Sequence, residues 1–146
     1  MEPRATYNLA LFILRLVLGL VMFAHGAQKV LGLWGGHGMQ ATVTYFQENL
    51  NIPPVLTYLS MAAEFLGGLG LIVGLLGRVA ALGIAVNMAV AIFVAHWDKG
   101  FFNDKGGFEF PLALLAMALA LLLTGMGDYS LDAMFTKKKA TPGTST

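Results

Sequence analysis

Apolar residues dominate four long runs of the chain, at about residues 9–31, 54–76, 79–97 and 110–126. Each comes close to the roughly 20 mostly apolar residues that a membrane-crossing helix needs. Only Gly77-Arg78 separates the second run from the third, which predicts a tight helical hairpin. Pro111 suits the first turn of the fourth. Residues 32–53 read differently. A turn-rich Trp34-Gly35-Gly36-His37-Gly38 is followed by Met39, Val43, Phe46 and Leu50 at helical spacing, set against Gln40, Thr44, Gln47 and Glu48. That alternation predicts a short amphipathic helix lying on a membrane surface. The expected fold is all-α: an integral membrane four-helix bundle, with the surface helix between its first two spans. Residues 1–135 form the single domain, and the polar, basic residues 136–146 are expected to be a disordered tail.

Composition supports lipid as the solvent. Of 146 residues, 57% are apolar and only 12% charged, where a soluble domain carries about a quarter charged residues. A net charge of +1 offers no footprint for nucleic acid, and no such partner is expected. The absence of cysteine excludes disulfides and thiolate ligation within the chain. Eighteen glycines fit close helix packing in a membrane. Basic flanks set orientation. With both termini inside, the cytoplasm receives Arg4, Arg78, Lys137, Lys138 and Lys139, against Lys29, Lys99 and Lys105 outside. A rival reading ends a signal peptide near Ala24-His25-Gly26. The apolar run continuing through Val30, Leu31 and Leu33 weighs against it.

The candidate chemistry lies on helix faces. Glu64 sits mid-way along the second apolar run, where an ionisable group normally faces a bundle interior and has a partner. It shares a stripe with Ser60, Gly67, Leu71 and Gly74. Arg15, Met22, His25 and Lys29 fall within one arc of the first helix, flanked by Gly19 and Gly26. Asn87 lies among Ala80, Gly83 and Ala91 on the third, and Glu109 opens the fourth, where the helix dipole favours an anion. Glu64 and His25 are the candidates for proton transfer. Arg15, Lys29, Asn87 and Glu109 are candidate cavity-lining groups for a cofactor. Glu64 can pair with Arg15 or, through His25, with the outer groups, and periodicity leaves that choice open. A purely structural Arg15–Glu64 ion pair competes evenly with a functional one. A histidine and a carboxylate together suit the two oxygen-bearing ends of a quinone. Haem is disfavoured, because His96 points away from the Asn87 face, and no metal site is expected.

Four stretches in order carry a family resemblance: Arg15…Gly19…Gly26…Lys29, then Glu64…Gly67-Gly68…Gly74…Arg78, then Glu109-Phe110-Pro111, then Gly125-Met126-Gly127-Asp128-Tyr129-Ser130-Leu131-Asp132. The pattern resembles the DoxX family of small bacterial membrane proteins, including its DoxD-like members. The resemblance implies a four-helix protein of the bacterial inner membrane associated with redox systems. The leading expectation is a quinone-binding subunit beside a separate catalytic redox partner. The alternatives are a non-catalytic scaffold that recruits a soluble enzyme, and a small proton-coupled transporter. Membrane lipid is an expected neighbour, and the stripe Ala63-Gly67-Gly70-Gly74 offers a face for a homo-oligomer.

Overall fold

The computed structural model describes residues 2–139. Six α-helices follow one another, with no strand among the described residues: α1 Pro3–Leu31, α2 Gly38–Asn49, α3 Pro54–Val73, α4 Gly77–Ala91, α5 Glu109–Thr124 and α6 Leu131–Lys139. Helix α4 continues through a π-helical turn, Ile92–His96, and a 3-10 turn, Trp97–Lys99. Three helical stretches are long and apolar enough to cross a membrane: Pro3–Leu31, Pro54–Val73 and Gly77–Lys99. Helix α5 is a shorter apolar helix.

Helices α1 and α3 are antiparallel and unusually close. A Cβ on Gly26 would run into the Phe65 backbone, and one on Gly68 into the backbone of Phe23. At Gly19 it would lie 2.9 Å from the Gly68 carbonyl oxygen. Glycine removes the side chains that would hold the two backbones apart. The three contacts define one register, pairing residue 26 with 65, 23 with 68 and 19 with 68 and 72. Helix α3 also packs on α4, α4 on α5, and α2 bridges α1 and α3. Leu18, Met22, Leu71, Ile84, Ala85, Leu114, Ala118 and Leu121 fill the shared core.

The hairpin turn lies three residues earlier than Gly77-Arg78. Gly74 ends α3 in the left-handed region (φ 73°), and both Gly74 and Leu75 donate their N–H groups to the Gly70 carbonyl. Gly77 and Arg78 belong to the first turn of α4. The cause is tertiary: Asp132 accepts the N–H groups of Leu76 (2.9 Å) and Gly77 (2.8 Å), capping α4 from the far end of the chain. Helix α1 begins at Pro3 rather than at residue 9, because Arg4 and Asn8 reach across to Asp128. Helix α5 stops at Thr124, two residues short of the sequence expectation, where Gly125 (φ 84°) turns the chain.

The first part of the expected tail is helical. Helix α6 runs to Lys139, with Ser130 accepting the Ala133 N–H at its start and Lys137 reaching Asp128. Residues 140–146 of that tail lie outside the described residues.

Candidate functional site

The register of α1 on α3 brings Lys29 to Glu64. The ammonium Nζ donates to Glu64 Oε1 at 2.6 Å. Asn87 of α4 donates to the same oxygen at 3.0 Å, and its own Oδ1 accepts the Ser60 hydroxyl at 2.6 Å. A chain of ammonium, carboxylate, amide and hydroxyl thus crosses three helices. Glu64 is 3% exposed, while the Lys29 side chain keeps 27%. A charge this buried is tolerable only when paired. Glu64 Oε2 is enclosed and has no hydrogen-bond partner.

These four residues line a cavity of about 650 Å³. Its other walls are almost wholly apolar: Leu56, Leu59 and Ala63 from α3, and Val86, Val90 and Val94 along α4 and its π turn. Phe46 of α2, together with Leu50 and Ile52-Pro53 in the turn that follows it, closes one end. Leu56, Leu59, Val86, Val90 and Val94 are also exposed on the outer surface, so the cavity opens sideways between α3 and α4. Such a site suits a ligand with an apolar body and one polar end.

The remaining candidates lie elsewhere. Arg15 is not the partner of Glu64. It is 1% exposed, packs against Gly74, donates to the Tyr129 carbonyl oxygen at 2.7 Å, and stands 5.3 Å from the Phe12 ring centroid. Gly74 is ten residues from Glu64 along α3, about 15 Å at the helical rise. His25 is exposed and faces Phe110 across 6.3 Å. It neither lines the cavity nor connects to Glu64, because Gly26 beside it takes the α3-facing position. Glu109 is also outside the cavity. Its Oε1 accepts the Asn103 N–H at 2.6 Å and ties down the loop before α5. His96 bonds the Gly106 carbonyl oxygen at 2.7 Å in that same loop. Among the described residues, no three His, Asp or Glu side chains gather as a metal set.

The four-residue spacing of Ser60 from Glu64 puts both on one face of α3, and that spacing is the signal in the sequence for its place in the chain of side chains. The sequence pattern puts Phe46 and Leu50 on the apolar side of an amphipathic helix at the membrane surface, and in the structure they line the cavity. Apolar spacing alone does not show what that side covers.

The DoxX family model matches residues 10–97, which span every residue of this chain of side chains. The chain belongs to the DoxX family. It is 28% identical over 134 residues to a Bacillus subtilis (strain 168) protein described as "Putative oxidoreductase CatD", covering 92% of each chain. An uncharacterized Haemophilus influenzae protein is 30% identical over 133 residues, covering 89% of this chain and 85% of that one. The inner membrane protein YqjF of Escherichia coli K12 is 25% identical over 131 residues, covering 90% and 95%. No solved structure matches. This DoxX protein is therefore a membrane protein.

Proposed function

We propose that this DoxX protein binds a quinone in the cavity between α3 and α4, as a redox-associated component of the bacterial inner membrane working beside a separate catalytic partner. One observation carries the reading: an apolar cavity, open toward lipid, that ends in Lys29, Glu64, Asn87 and Ser60. A quinone would supply two-electron redox chemistry, with electrons exchanged through the partner. Lys29 is placed to donate a hydrogen bond to a ring carbonyl oxygen, and Ser60 to accept one from a ring hydroxyl. Glu64 holds the ammonium in position. Leu56, Leu59, Val86, Val90 and Val94 would pack against an isoprenoid tail. The description of CatD as an oxidoreductase supports the redox side of the reading.

In this reading α1, α3, α4 and α5 span the bilayer as a four-helix bundle, and α2 lies on its outer surface. Both termini are cytoplasmic. Arg4 and Lys137 converge on Asp128, and Arg78 lies against Gly125, so basic residues gather at the end of the molecule opposite α2. Helix α5, about 24 Å long, is shorter than the hydrocarbon layer, a mismatch that local thinning accommodates.

The test is titration of a decyl-tailed benzoquinone into detergent-purified protein. Saturable binding is expected, weakened at least tenfold (about 1.4 kcal/mol) by Val90→Trp, which fills the cavity, and by Lys29→Met. If wild type shows no saturable binding, or Val90→Trp binds equally well, the quinone reading is removed and the scaffold reading takes its place.

A further inference from the structure

Helix α6 is held at a defined depth. Arg15 packs on Gly74, where α3 ends, and so marks the edge of the bundle on that side. Asp128 accepts a hydrogen bond from Asn8, seven residues earlier on α1 and thus about 10 Å beyond that edge. Asp132, in the first turn of α6, holds the N–H groups of Leu76 and Gly77, and Lys137 in its last turn reaches Asp128. Both ends of α6 are therefore pinned within a layer about 10 Å deep, the scale of the headgroup zone that flanks the hydrocarbon core. Its open face is mixed. At the helical period Met134, Lys138 and Phe135 fall within one arc of about 100° that excludes Asp132. Met134 and Phe135 are more than half exposed, as is Tyr129 just before the helix.

We propose that α6 is an interfacial helix seated in the headgroup layer at this end of the bundle, with Met134 and Phe135 among the first carbons of the acyl chains and Arg78 and Lys138 on acidic phospholipid headgroups. The local charges leave those two cations without a counter-ion. Asp128 is already met by Arg4 and Lys137, and Asp132 is engaged on α4. Arg78, next to Gly77, and Lys138 are both exposed, and among the described residues neither has a carboxylate within ion-pair distance. Apolar area and basic charge on one short helix are the two features that hold an amphipathic segment at the interface. Lys138, set between the two apolar side chains, can extend its ammonium from the acyl boundary to the phosphates. The apolar face of α6 also continues an apolar outer surface, because Leu76 and Val79, beside the N–H groups that Asp132 holds, are exposed. That continuity favours lipid over a soluble acidic partner. Lipid that holds α6 also holds the ends of α1 and α4, through Asp128 and Asp132. The inference rests on the reading that the bundle spans the bilayer, and is independent of the quinone.

The chain has no cysteine, so single nitroxide labels can be placed without background. Labels at Met134→Cys and Phe135→Cys are read by power saturation in nanodiscs of mixed phosphatidylcholine and phosphatidylglycerol. A label at Leu20→Cys, on the exposed face of α1, marks the hydrocarbon core. Oxygen should relax both α6 labels more strongly than a water-soluble nickel chelate does, as it should at Leu20→Cys. Native mass spectrometry of the unlabelled protein then reads its preference for phosphatidylglycerol over phosphatidylcholine. That preference should fall about fivefold with each of Arg78→Gln and Lys138→Gln. Both side chains are exposed, and neither substitution touches the Asp132 or Lys137–Asp128 contacts. If the α6 labels favour the chelate while Leu20→Cys favours oxygen, the proposal is overturned and the face is left to a soluble partner. A lipid preference that both substitutions leave unchanged overturns it equally. If Leu20→Cys itself favours the chelate, the spanning reading fails and this proposal falls with it.

Discussion

Glu64 has three possible cationic neighbours on one arc of α1, and only Lys29 reaches it. Helical periodicity gives the angle of a residue around its own axis. It does not give the level at which a second helix meets it. That level is set by backbone contact at Gly19, Gly26 and Gly68, which puts Arg15 beside Gly74 and Lys29 beside Glu64. The faces were legible in the sequence, and the pairing was not, because glycine spacing shows that helices approach without showing in which register. A buried pair also makes a quantitative prediction. Lys29→Met should destabilise the solubilised protein by about 3–5 kcal/mol, since it leaves an unpaired carboxylate 3% exposed. Lys29→Met combined with Glu64→Gln should recover much of that loss. Thermal or denaturant unfolding of the two single variants and the double variant measures the coupling, and strictly additive losses would show that the pair contributes nothing.

The ends of the helices show where local sequence signals stop being sufficient. Gly70, Gly74 and Gly77 are all acceptable stop signals near the α3–α4 hairpin, and local sequence does not rank them. The choice falls to partners far along the chain: Arg15 packed on Gly74, and Asp132 on the first N–H groups of α4. The stretch from Gly125 to Asp132 stood out as a motif from its residues alone. Its task, holding the ends of α1, α3 and α4 together, depends on contacts more than 50 residues distant, such as Asp132 with Gly77 and Asn8 with Asp128. Asp132→Ala should therefore behave as a cap deletion on α4, costing about 1–2 kcal/mol. Limited proteolysis should then find the hairpin more readily than in wild type; unchanged stability and cleavage would remove Asp132 from this role. The π turn at Ile92–His96 was invisible to periodicity, which assumes one uniform pitch. It places Val94 and Ala95 at the cavity wall, a position typical of π turns near functional sites.

At the scale of the molecule, an all-helical architecture and an apolar outer surface were readable from run lengths and composition. The division of polar groups between two opposite ends was not. One end carries the Lys29–Glu64 chain under α2. The other carries Asp128, bonded by Arg4 (3.2 Å) and Asn8 (2.9 Å) and faced by Lys137 (3.7 Å). Desolvation, the largest single influence, raises the Asp128 pKa, but Lys137, Arg4 and Asn8 together outweigh it and hold the carboxyl below its ordinary value. Depressed in the folded state, this group contributes stability that is fully present above the unfolded value, about 3.9. The contribution is lost as pH falls through the lower folded value. Acid unfolding of the solubilised protein should therefore be less steep at its acidic limit for Asp128→Asn than for wild type. High salt should shrink the difference, because Arg4 is largely exposed. Identical acid limbs would assign the loss to other carboxylates.

The cavity owes its existence to where α1 stops. Gly32 turns the chain at φ 69° directly after Leu31, and the register of α1 on α3 then leaves residues 54–59 of α3 running about 9 Å past its end. That overhang is the part of α3 that supplies Leu56 and Leu59 to the cavity. Lengthening α1 by two turns would drive a solid helix into the space. A variant of this chain with α1 lengthened by two turns should therefore have a smaller cavity than the wild type.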